Sequence, residues 1–182
     1  MKDEATELIE KISKGDEKAF ADFYRLFEKR LYNFIKQKLN DPFESADILN
    51  ETFLEVWRKA DTFEGRSKVS TWLFGIAYFK TVDRMRKNGK VIVGDENVPE
   101  QVDDSADAMA CLLSKENGAH IQYCLEQLKL AHRTVIELAF LQDMAYGEIA
   151  TVVDCPENTV KTRMFHAKQL MKNCLSTRLG GM

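Results

Sequence analysis

The sequence predicts an all-α protein made of two small helical domains joined by a flexible acidic linker. Apolar residues recur at three- and four-residue steps along most of the chain, as on one face of an α-helix. The 182 residues include only three prolines and nine glycines and no alternating β-branched runs, which favours helix over sheet. This periodicity is lost in residues 91–117, where seven acidic side chains accompany Gly and Pro. We therefore assign residues 1–90 and 118–182 to the two domains and residues 91–117 to the linker.

The overall composition is that of a folded, soluble chain. Hydrophobic residues make up 45% of it, enough to bury a core, so wholesale disorder is excluded. The N-terminal segment MKDEATELIEKISKGDEKAF is charged throughout and is therefore neither a signal peptide nor a membrane anchor. No apolar run approaches the ~20 residues that span a bilayer. We expect a cytoplasmic protein without membrane insertion.

Cysteine and histidine residues lack the spacing of a metal site. Four cysteines are scattered along the chain: Cys111, Cys124, Cys155 and Cys174. Three histidines are equally isolated: His120, His132 and His166. Because no CxxC or Cys/His cluster occurs, we expect the cysteines to be reduced core thiols and expect no metal or cofactor.

The net charge of −3 is distributed very unevenly. Residues 66–90 carry seven basic side chains against one acidic, and residues 156–182 carry five against one. Attraction to phosphate is local and is screened within about 10 Å. Either block alone is better explained as a solvated charged face. Two blocks separated by acids predict two separate contacts with nucleic acid.

The first two predicted helices follow from their caps and apolar stripes. One begins after Asp16, a suitable N-cap, and ends at Leu39 before Asn40, Asp41 and Pro42. Its stripe consists of Phe20, Phe23, Phe27, Leu31, Phe34 and Ile35. The next helix runs from about Glu44 to Ala60. Its core stripe consists of Leu49, Phe53, Val56, Trp57 and Ala60.

Leu54 is the unexpected member of the second helix. It lies on the polar face, which also carries Asp47, Asn50, Glu51, Glu55 and Arg58. One exposed leucine is ordinary. A leucine ringed by charged and polar groups also has the form of a docking hot spot, so both interpretations stay open at this point.

The third predicted helix, from about Ser70 to Lys87, has two apolar stripes and a predicted hydroxyl cap at its start. One stripe consists of Phe74, Tyr78, Val82 and Met85, and the other of Trp72, Ile76 and Phe79. Three helices can hardly bury both stripes, so aromatic surface near Lys80, Arg84 and Lys87 is available to stack on bases. The alternative is that these aromatics are core. The preceding loop, residues 62–69, contributes Gly65, Arg66 and Lys68, which suit a phosphate backbone.

The segment MAYGEIATVVDCPENTVKTRMFHAKQLMK has the layout of a helix-turn-helix. A short helix from Glu148 to Val153 directs Ile149, Ala150 and Val153 inward, and the turn is Asp154, Cys155 and Pro156. The next helix buries Val160, Met164, Ala167 and Met171. Its opposite side presents Asn158, Lys161, Thr162, Phe165, Gln169 and Lys172. Such a face suits the DNA major groove, although an ordinary helical hairpin is the alternative.

The chain resembles bacterial sigma factors of the extracytoplasmic-function group. The matching segments are DILNETFLEVW, STWLFGIA, TVDRMR and EIATVVDCPENTVKTRMFHAK. Residues 16–90 resemble sigma region two and residues 118–174 resemble region four, with no match to region one or to a folded region three. The order of the two modules is typical of the group.

The resemblance implies two contacts with core RNA polymerase and two with promoter DNA. The docking residues on the clamp coiled coil of the largest subunit would be Asp47, Asn50, Glu51, Leu54 and Arg58. Region four would contact the flap of the second subunit. Loop 62–69 and the next helix would hold the opened minus-ten element through Arg66, Lys68, Trp72, Phe79, Lys80, Arg84, Arg86 and Lys87. The minus-thirty-five element would be read by Asn158, Lys161, Thr162, Phe165 and His166.

The resemblance further implies that the chain has no catalytic residues of its own. Duplex opening would use binding energy rather than ATP, since the sequence has no P-loop. An anti-sigma factor is an expected partner. Two alternatives are a free-standing helix-turn-helix regulator and a nucleic-acid-processing enzyme. The first would not need the N-terminal module, and the second would need clustered carboxylates or a metal-ligand set.

Several positions depart from the family pattern. Ser45 and Ala46 stand where two acids are usual, and Asn50 replaces a usual Gln. Tyr78 and Phe79 replace a usual Arg-Asn pair. In the second module, Asp154 takes the turn position of a Gly, and Lys129 that of a common Pro.

Overall fold

A computed structural model describes residues 3–90 and 118–179, and within these ranges the chain is helical and contains no β-strand. The first block contains α1 (Glu4–Ile12), α2 (Glu17–Leu39), α3 (Pro42–Lys59), a 3-10 turn (Ala60–Thr62) and α4 (Val69–Lys87). The second block contains α5 (Gly118–Glu126), α6 (Leu130–Phe140), α7 (Tyr146–Val153) and α8 (Glu157–Leu179). The prediction of two helical domains is confirmed. The predicted linker and Cys111 lie outside the described residues.

The first unit is organised around α2, which packs against α1, α3 and α4. Four phenylalanines are fully buried at its centre: Phe23, Phe34, Phe53 and Phe74. Their rings meet edge to face across the helices, with centroids 6.1 Å apart for Phe23 and Phe53 and 5.1 Å apart for Phe34 and Phe74. Such aromatic pairs add ~0.5–1.5 kcal/mol beyond their area burial. Apart from Phe20, which is half-buried, the predicted α2 stripe is therefore part of the core of this unit.

The turn between α2 and α3 follows from three consecutive residues. Asn40 adopts a left-handed conformation with φ 53°, and its N–H donates to the carbonyl of Lys36. The Asp41 carboxylate accepts hydrogen bonds of 2.9 Å from the N–H groups of Phe43 and Glu44. Pro42 occupies the first helical position, where its missing N–H costs nothing. As a result α3 begins two residues before the predicted start.

The first unit differs from the sequence analysis at two helix starts. One is α1, a helix that the sequence analysis did not predict and whose amphipathic face buries Ala5, Leu8, Ile9 and Ile12. The predicted hydroxyl cap of α4 is also wrong, because the helix begins at Val69 and its N-cap is Lys68, which makes no side-chain capping bond. Ser70 lies one residue inside the helix.

Trp57 is less buried than its place in the predicted core stripe of α3 suggests. It remains 36% exposed, although its ring contacts Phe20 at a centroid distance of 5.2 Å. The buried face of α3 extends instead towards Ser45 and Thr52, both fully buried. Their hydroxyls donate to the carbonyls of Asp41 and Ile48, one turn earlier, so no buried polar group is left unpaired there.

In the second unit α5 and α6 both pack against the long helix α8. The predicted α8 stripe of Val160, Met164, Ala167 and Met171 is buried, each residue at most 1% exposed. Between α7 and α8, Asp154 adopts φ 50°, a left-handed conformation that glycine adopts most readily. Lys129 serves as the N-cap residue of α6 with extended backbone angles.

The prediction of four reduced thiols is wrong for two of the cysteines. Cys124 of α5 and Cys174 of α8 form a disulfide with a Cα–Cα distance of 5.9 Å. The two residues are 50 positions apart in sequence, so their proximity depends on the packing of α5 on α8. Cys155 is not part of a disulfide and is half-buried.

No helix in residues 3–90 or 118–179 combines the length and the hydrophobicity that crossing a membrane requires.

Candidate partner and nucleic-acid surfaces

The outer side of α3 carries two exposed apolar side chains within a polar surface. Leu54 is 51% exposed and Phe43 is 83% exposed. Asp47 and Asn50 lie between them at the i, i+4, i+7, i+11 spacing of one helical stripe, which spans ~16 Å. Glu51 and Arg58 are exposed beside this stripe. We refer to these six residues as the α3 face.

Phe43 is the member of the α3 face that the sequence analysis missed. A helix starting at Glu44 leaves Phe43 in the connecting loop, where an exposed aromatic has no defined direction. The Asp41–Pro42 pair is an N-cap followed by an N1 proline, the signal that would have placed Phe43 in the helix.

Acidic residues of α3 are paired with basic residues of α4. The Arg84 guanidinium lies 3.3 Å from the Glu51 carboxylate and 3.8 Å from that of Glu44. The Lys80 ammonium lies 3.7 Å from the Glu55 carboxylate. Lys80 and Arg84 were both predicted to contact DNA. In this structure their charges hold α3 and α4 together.

Glu55 is the acid of this cluster whose titration is most affected. A hydrogen bond from Lys59 and the nearby charges of Lys59 and Lys80 lower the pKa of Glu55 from its ordinary value, although partial burial opposes them. The ionised form of Glu55 therefore contributes stability at neutral pH. That contribution is lost as the pH falls through the lowered folded-state pKa.

We expect Glu55→Gln to lower the free energy of unfolding at pH 7 by about 0.5–1 kcal/mol, because it removes one partly exposed charge from the pairs with Lys59 and Lys80. The difference from the unchanged chain should disappear at strongly acidic pH, where Glu55 is protonated in both states. Urea unfolding between pH 3 and pH 7 measures this. A stability difference that is independent of pH would contradict an electrostatic role. Asp61→Asn, at an exposed position of the 3-10 turn, is the control.

The remaining aromatic and basic residues of α4 are more accessible. Phe79 is 46% exposed, and its ring meets that of Tyr78 edge to face at 5.4 Å. Trp72 is half-buried with its ring 5.2 Å from that of Phe63. Lys87 is exposed, and Arg86 is exposed in an ion pair of 3.4 Å with Asp83. Partly exposed aromatic side chains and cations thus lie on the same helix, as base stacking and phosphate contacts require.

The loop before α4 is open to solvent. Gly65 has φ 70°, a conformation that side-chain-bearing residues rarely adopt. Arg66 is exposed and pairs with Glu64, and Lys68 is exposed at the N-cap of α4. Both cations therefore remain accessible to a backbone phosphate.

The N-terminal half of α8 carries the predicted DNA-reading residues. Asn158 is exposed, and Lys161 is half-exposed in an ion pair of 3.1 Å with Glu157. Phe165 and His166 are half-buried with ring centroids 5.4 Å apart. Thr162 differs from the expectation, because it is only 6% exposed and its hydroxyl donates to the Asn158 carbonyl.

Among the residues that the structure describes, no group of three or more His, Cys, Asp or Glu side chains is placed to hold a metal ion.

Comparison with known protein families gives two matches to the chain. Residues 23–91 match the family model of sigma-70 region 2, and residues 119–171 match that of sigma-70 region 4. The chain is 30% identical over 176 residues to the ECF RNA polymerase sigma factor SigW of Bacillus subtilis, covering 92% of this chain and 94% of the relative. It is also 30% identical over 175 residues to the ECF sigma factor SigK of Mycobacterium tuberculosis, covering 92% and 91%.

Solved structures provide the same fold at lower identity. CnrH, in complex with the cytosolic domain of CnrY, superposes with a TM-score of 0.71 at 21% identity, covering 96% of this chain and 99% of CnrH. The sigma factor RpoE from Bartonella quintana, in complex with the anti-sigma factor NepR, gives a TM-score of 0.65 at 22% identity, covering 87% and 98%.

Proposed function

The chain belongs to the extracytoplasmic-function family of RNA polymerase sigma factors, and from this premise we propose that the α3 face is its docking surface for core polymerase. As a member, the chain binds core RNA polymerase and directs it to promoter DNA. The family is not an enzyme family. The observation that carries the proposal is the pair of exposed apolar side chains, Leu54 and Phe43, within a polar rim.

Phe43 and Leu54 would act as the two anchors of this contact. The intervening Asp47 and Asn50, with Glu51 and Arg58 beside them, would supply the polar rim. Desolvated apolar anchors provide most of the affinity of a typical interface, while rim charges guide association and orientation. The clamp coiled coil of the largest polymerase subunit is the proposed partner element.

The proposed minus-ten contact lies on α4 and the loop before it. Phe79 and Trp72 offer aromatic surface to unpaired bases, with Arg66, Lys68, Arg86 and Lys87 near the phosphates. Lys80 and Arg84 would also position α4 against α3 through their ion pairs with α3. These ion pairs would keep the DNA surface on α4 and the polymerase surface on α3 at a fixed distance. DNA contact and polymerase contact would then be carried by one rigid pair of helices.

The proposed minus-thirty-five contact is the N-terminal half of α8. Asn158, Lys161, Phe165 and His166 present hydrogen-bonding, charged and aromatic groups, the set that base edges and phosphates require. Thr162 would support this face by its bond to the Asn158 carbonyl. The flap of the second polymerase subunit is the proposed partner of the second unit.

Three further elements complete the proposal. Residues 1–90, 91–117 and 118–182 would act as region two, linker and region four, in the cytoplasm and without enzymatic activity of their own. The structural relative RpoE is held by an anti-sigma factor. We propose a partner of the same class here, because an exposed Phe43 and Leu54 need covering when polymerase is absent. A free-standing helix-turn-helix regulator is not favoured, since region two accounts for the first unit.

Reconstituted transcription tests the proposed function. Purified chain added to sigma-free core polymerase should start RNA synthesis at defined sites in a fragment library from its own genome. Failure on every template would reject the function.

Two variants test the α8 contact. We expect Lys161→Ala and Phe165→Ala each to lower promoter affinity by roughly 5- to 150-fold without changing core binding, because each removes a contact worth about 1–3 kcal/mol. Filter binding and core co-purification measure the two quantities. Lys14→Ala, at an exposed position of the first unit that has no predicted DNA contact, is the control for the loss of one cation. A loss of both activities in the α8 variants would indicate misfolding and contradict this assignment.

A further inference from the structure

The disulfide between Cys124 and Cys174 joins the first and last helices of the second unit. The ring it closes contains α6, α7 and most of α8, so it encloses the whole helix-turn-helix. A crosslink across 50 residues constrains the unfolded chain strongly and favours the folded unit.

Helix α5 has few other constraints. It has nine residues, fewer than an isolated helix needs to be stable in water. Its buried side chains are Ile121, Cys124 and Leu125. Its outer contacts come from Arg178, whose guanidinium lies 3.9 Å over the Tyr123 ring and whose Nε donates to His120 Nδ1 at 3.2 Å. Tyr123 and Arg178 are exposed and His120 is only half-buried, so such contacts stabilise the helix weakly.

The two sulfur atoms differ in access. Cys124 is 1% exposed, whereas Cys174 is half-buried. The bridge borders a groove of about 420 Å³ that is lined by Tyr123, Gln127, Leu128, Leu170, Thr177 and Arg178. A small thiol can enter this groove, and the Arg178 guanidinium attracts the thiolate form. Reduction is therefore expected to begin at Cys174.

We propose that Cys124 and Cys174 form a reversible thiol–disulfide switch that controls the docking of α5 on α8. This inference rests on the proposed function, because a chain that works with RNA polymerase is exposed to cellular thiols. In that compartment a disulfide that is not catalytic is usually redox-sensing. The bridged state holds α5 in place, and the reduced state releases it.

The exchange chemistry needs only a dithiol or a small-molecule disulfide. A dithiol's thiolate attacks Cys174 Sγ, the S–S bond breaks, and Cys124 leaves as a thiolate that takes up a proton. The second thiol of the reductant then resolves the mixed disulfide and releases Cys174 as a thiol, so two electrons pass to the bridge. Re-oxidation by glutathione disulfide follows the same exchange in reverse.

The test compares the bridged and reduced full-length chain by amide hydrogen exchange and thermal unfolding. Reduction should accelerate exchange in residues 118–126 at least 10-fold and lower the melting temperature of the second unit by roughly 10–20 °C. Cys124→Ser with Cys174→Ser should reproduce the reduced state with or without dithiothreitol. Cys111→Ser with Cys155→Ser keeps the pair and should respond as the unchanged chain does.

Two further measurements decide whether the bridge is a switch. In glutathione buffers, mass-shift alkylation should label both cysteines at high ratios of reduced to oxidised glutathione and neither at low ratios. The transition should lie within the physiological range of these ratios. A bridge that survives excess reduced glutathione, or unchanged exchange in α5 on reduction, would overturn the proposal.

Transcription separates this proposal from the proposed function. At a temperature between the two melting points, the bridged chain with core polymerase should yield at least threefold more promoter transcript than the reduced chain. Equal yields would overturn the switch and leave the sigma-factor function standing. If neither form transcribes, the proposed function fails, and the exchange and glutathione results still decide the switch.

Discussion

Replacing Leu54 by aspartate is expected to lower the affinity for core RNA polymerase by at least 30-fold while leaving the protein folded. Leu54 is 51% exposed on the α3 face, so its replacement leaves no cavity in the buried core. A charge at the centre of an apolar contact must be desolvated, and truncating a hot spot costs about 2 kcal/mol or more. Surface substitutions away from special features change stability by only about 0.5 kcal/mol. Fluorescence anisotropy with labelled chain and core polymerase measures the affinity.

Leu26→Asp is the matched control for this prediction. Leu26 is 41% exposed on α2, so the same chemical change is made on a similarly exposed leucine outside the α3 face. It should leave core binding unchanged. Phe43→Ser should weaken binding by a smaller factor, since it lies at the end of the stripe. If Leu54→Asp and Leu26→Asp bind core polymerase equally well, the α3 face is not the docking surface.

Phe79→Ala is expected to reduce the fraction of opened promoter by roughly 5- to 150-fold. A base stacked on an aromatic side chain gains about 1–3 kcal/mol, and Phe79 is the most exposed aromatic residue of α4. Core binding should not change, because Phe79 lies on a different helix from the α3 face. Permanganate reactivity of unpaired thymines in the minus-ten region reports the opened fraction.

The aromatic ring itself can be tested by rescue. Phe79→Trp should restore opening, since stacking depends on a π surface and tolerates different rings. Phe79→Leu keeps an apolar side chain of similar size and should remain defective. If the leucine variant opens promoters as well as the unchanged chain, Phe79 acts by packing against Tyr78 rather than by stacking on bases.

The elements that sequence patterns predicted correctly depend on local interactions. The α2 stripe, the α8 stripe and the Asp16 cap all involve residues within a few positions of one another. Their spacing in the sequence is therefore enough to predict the helix faces and the cap. Asp16 accepts a hydrogen bond from the Ala19 N–H, as its position before the first apolar turn predicted. The exposure of Leu54 was likewise predictable from its position around the helix axis, opposite the apolar stripe.

The α3–α4 ion pairs could not be predicted in this way. Arg84 and Glu51 are 33 residues apart, and nothing in a linear charge count shows that α4 cations meet α3 acids. The sequence analysis therefore treated Lys80 and Arg84 as free for DNA. The packing of two helices decides which charges of a basic cluster remain available.

Sequence by itself thus determined the helical class, the two-unit division, the family and the surfaces proposed for polymerase and promoter, because each depends on periodicity or on contiguous motifs. Tertiary structure alone decided that Cys124 meets Cys174 and that Arg84 meets Glu51. It also showed how far Phe43 projects and how completely Thr162 is covered. These outcomes depend on distances between helices that are remote in sequence, and only the packed chain defines those distances.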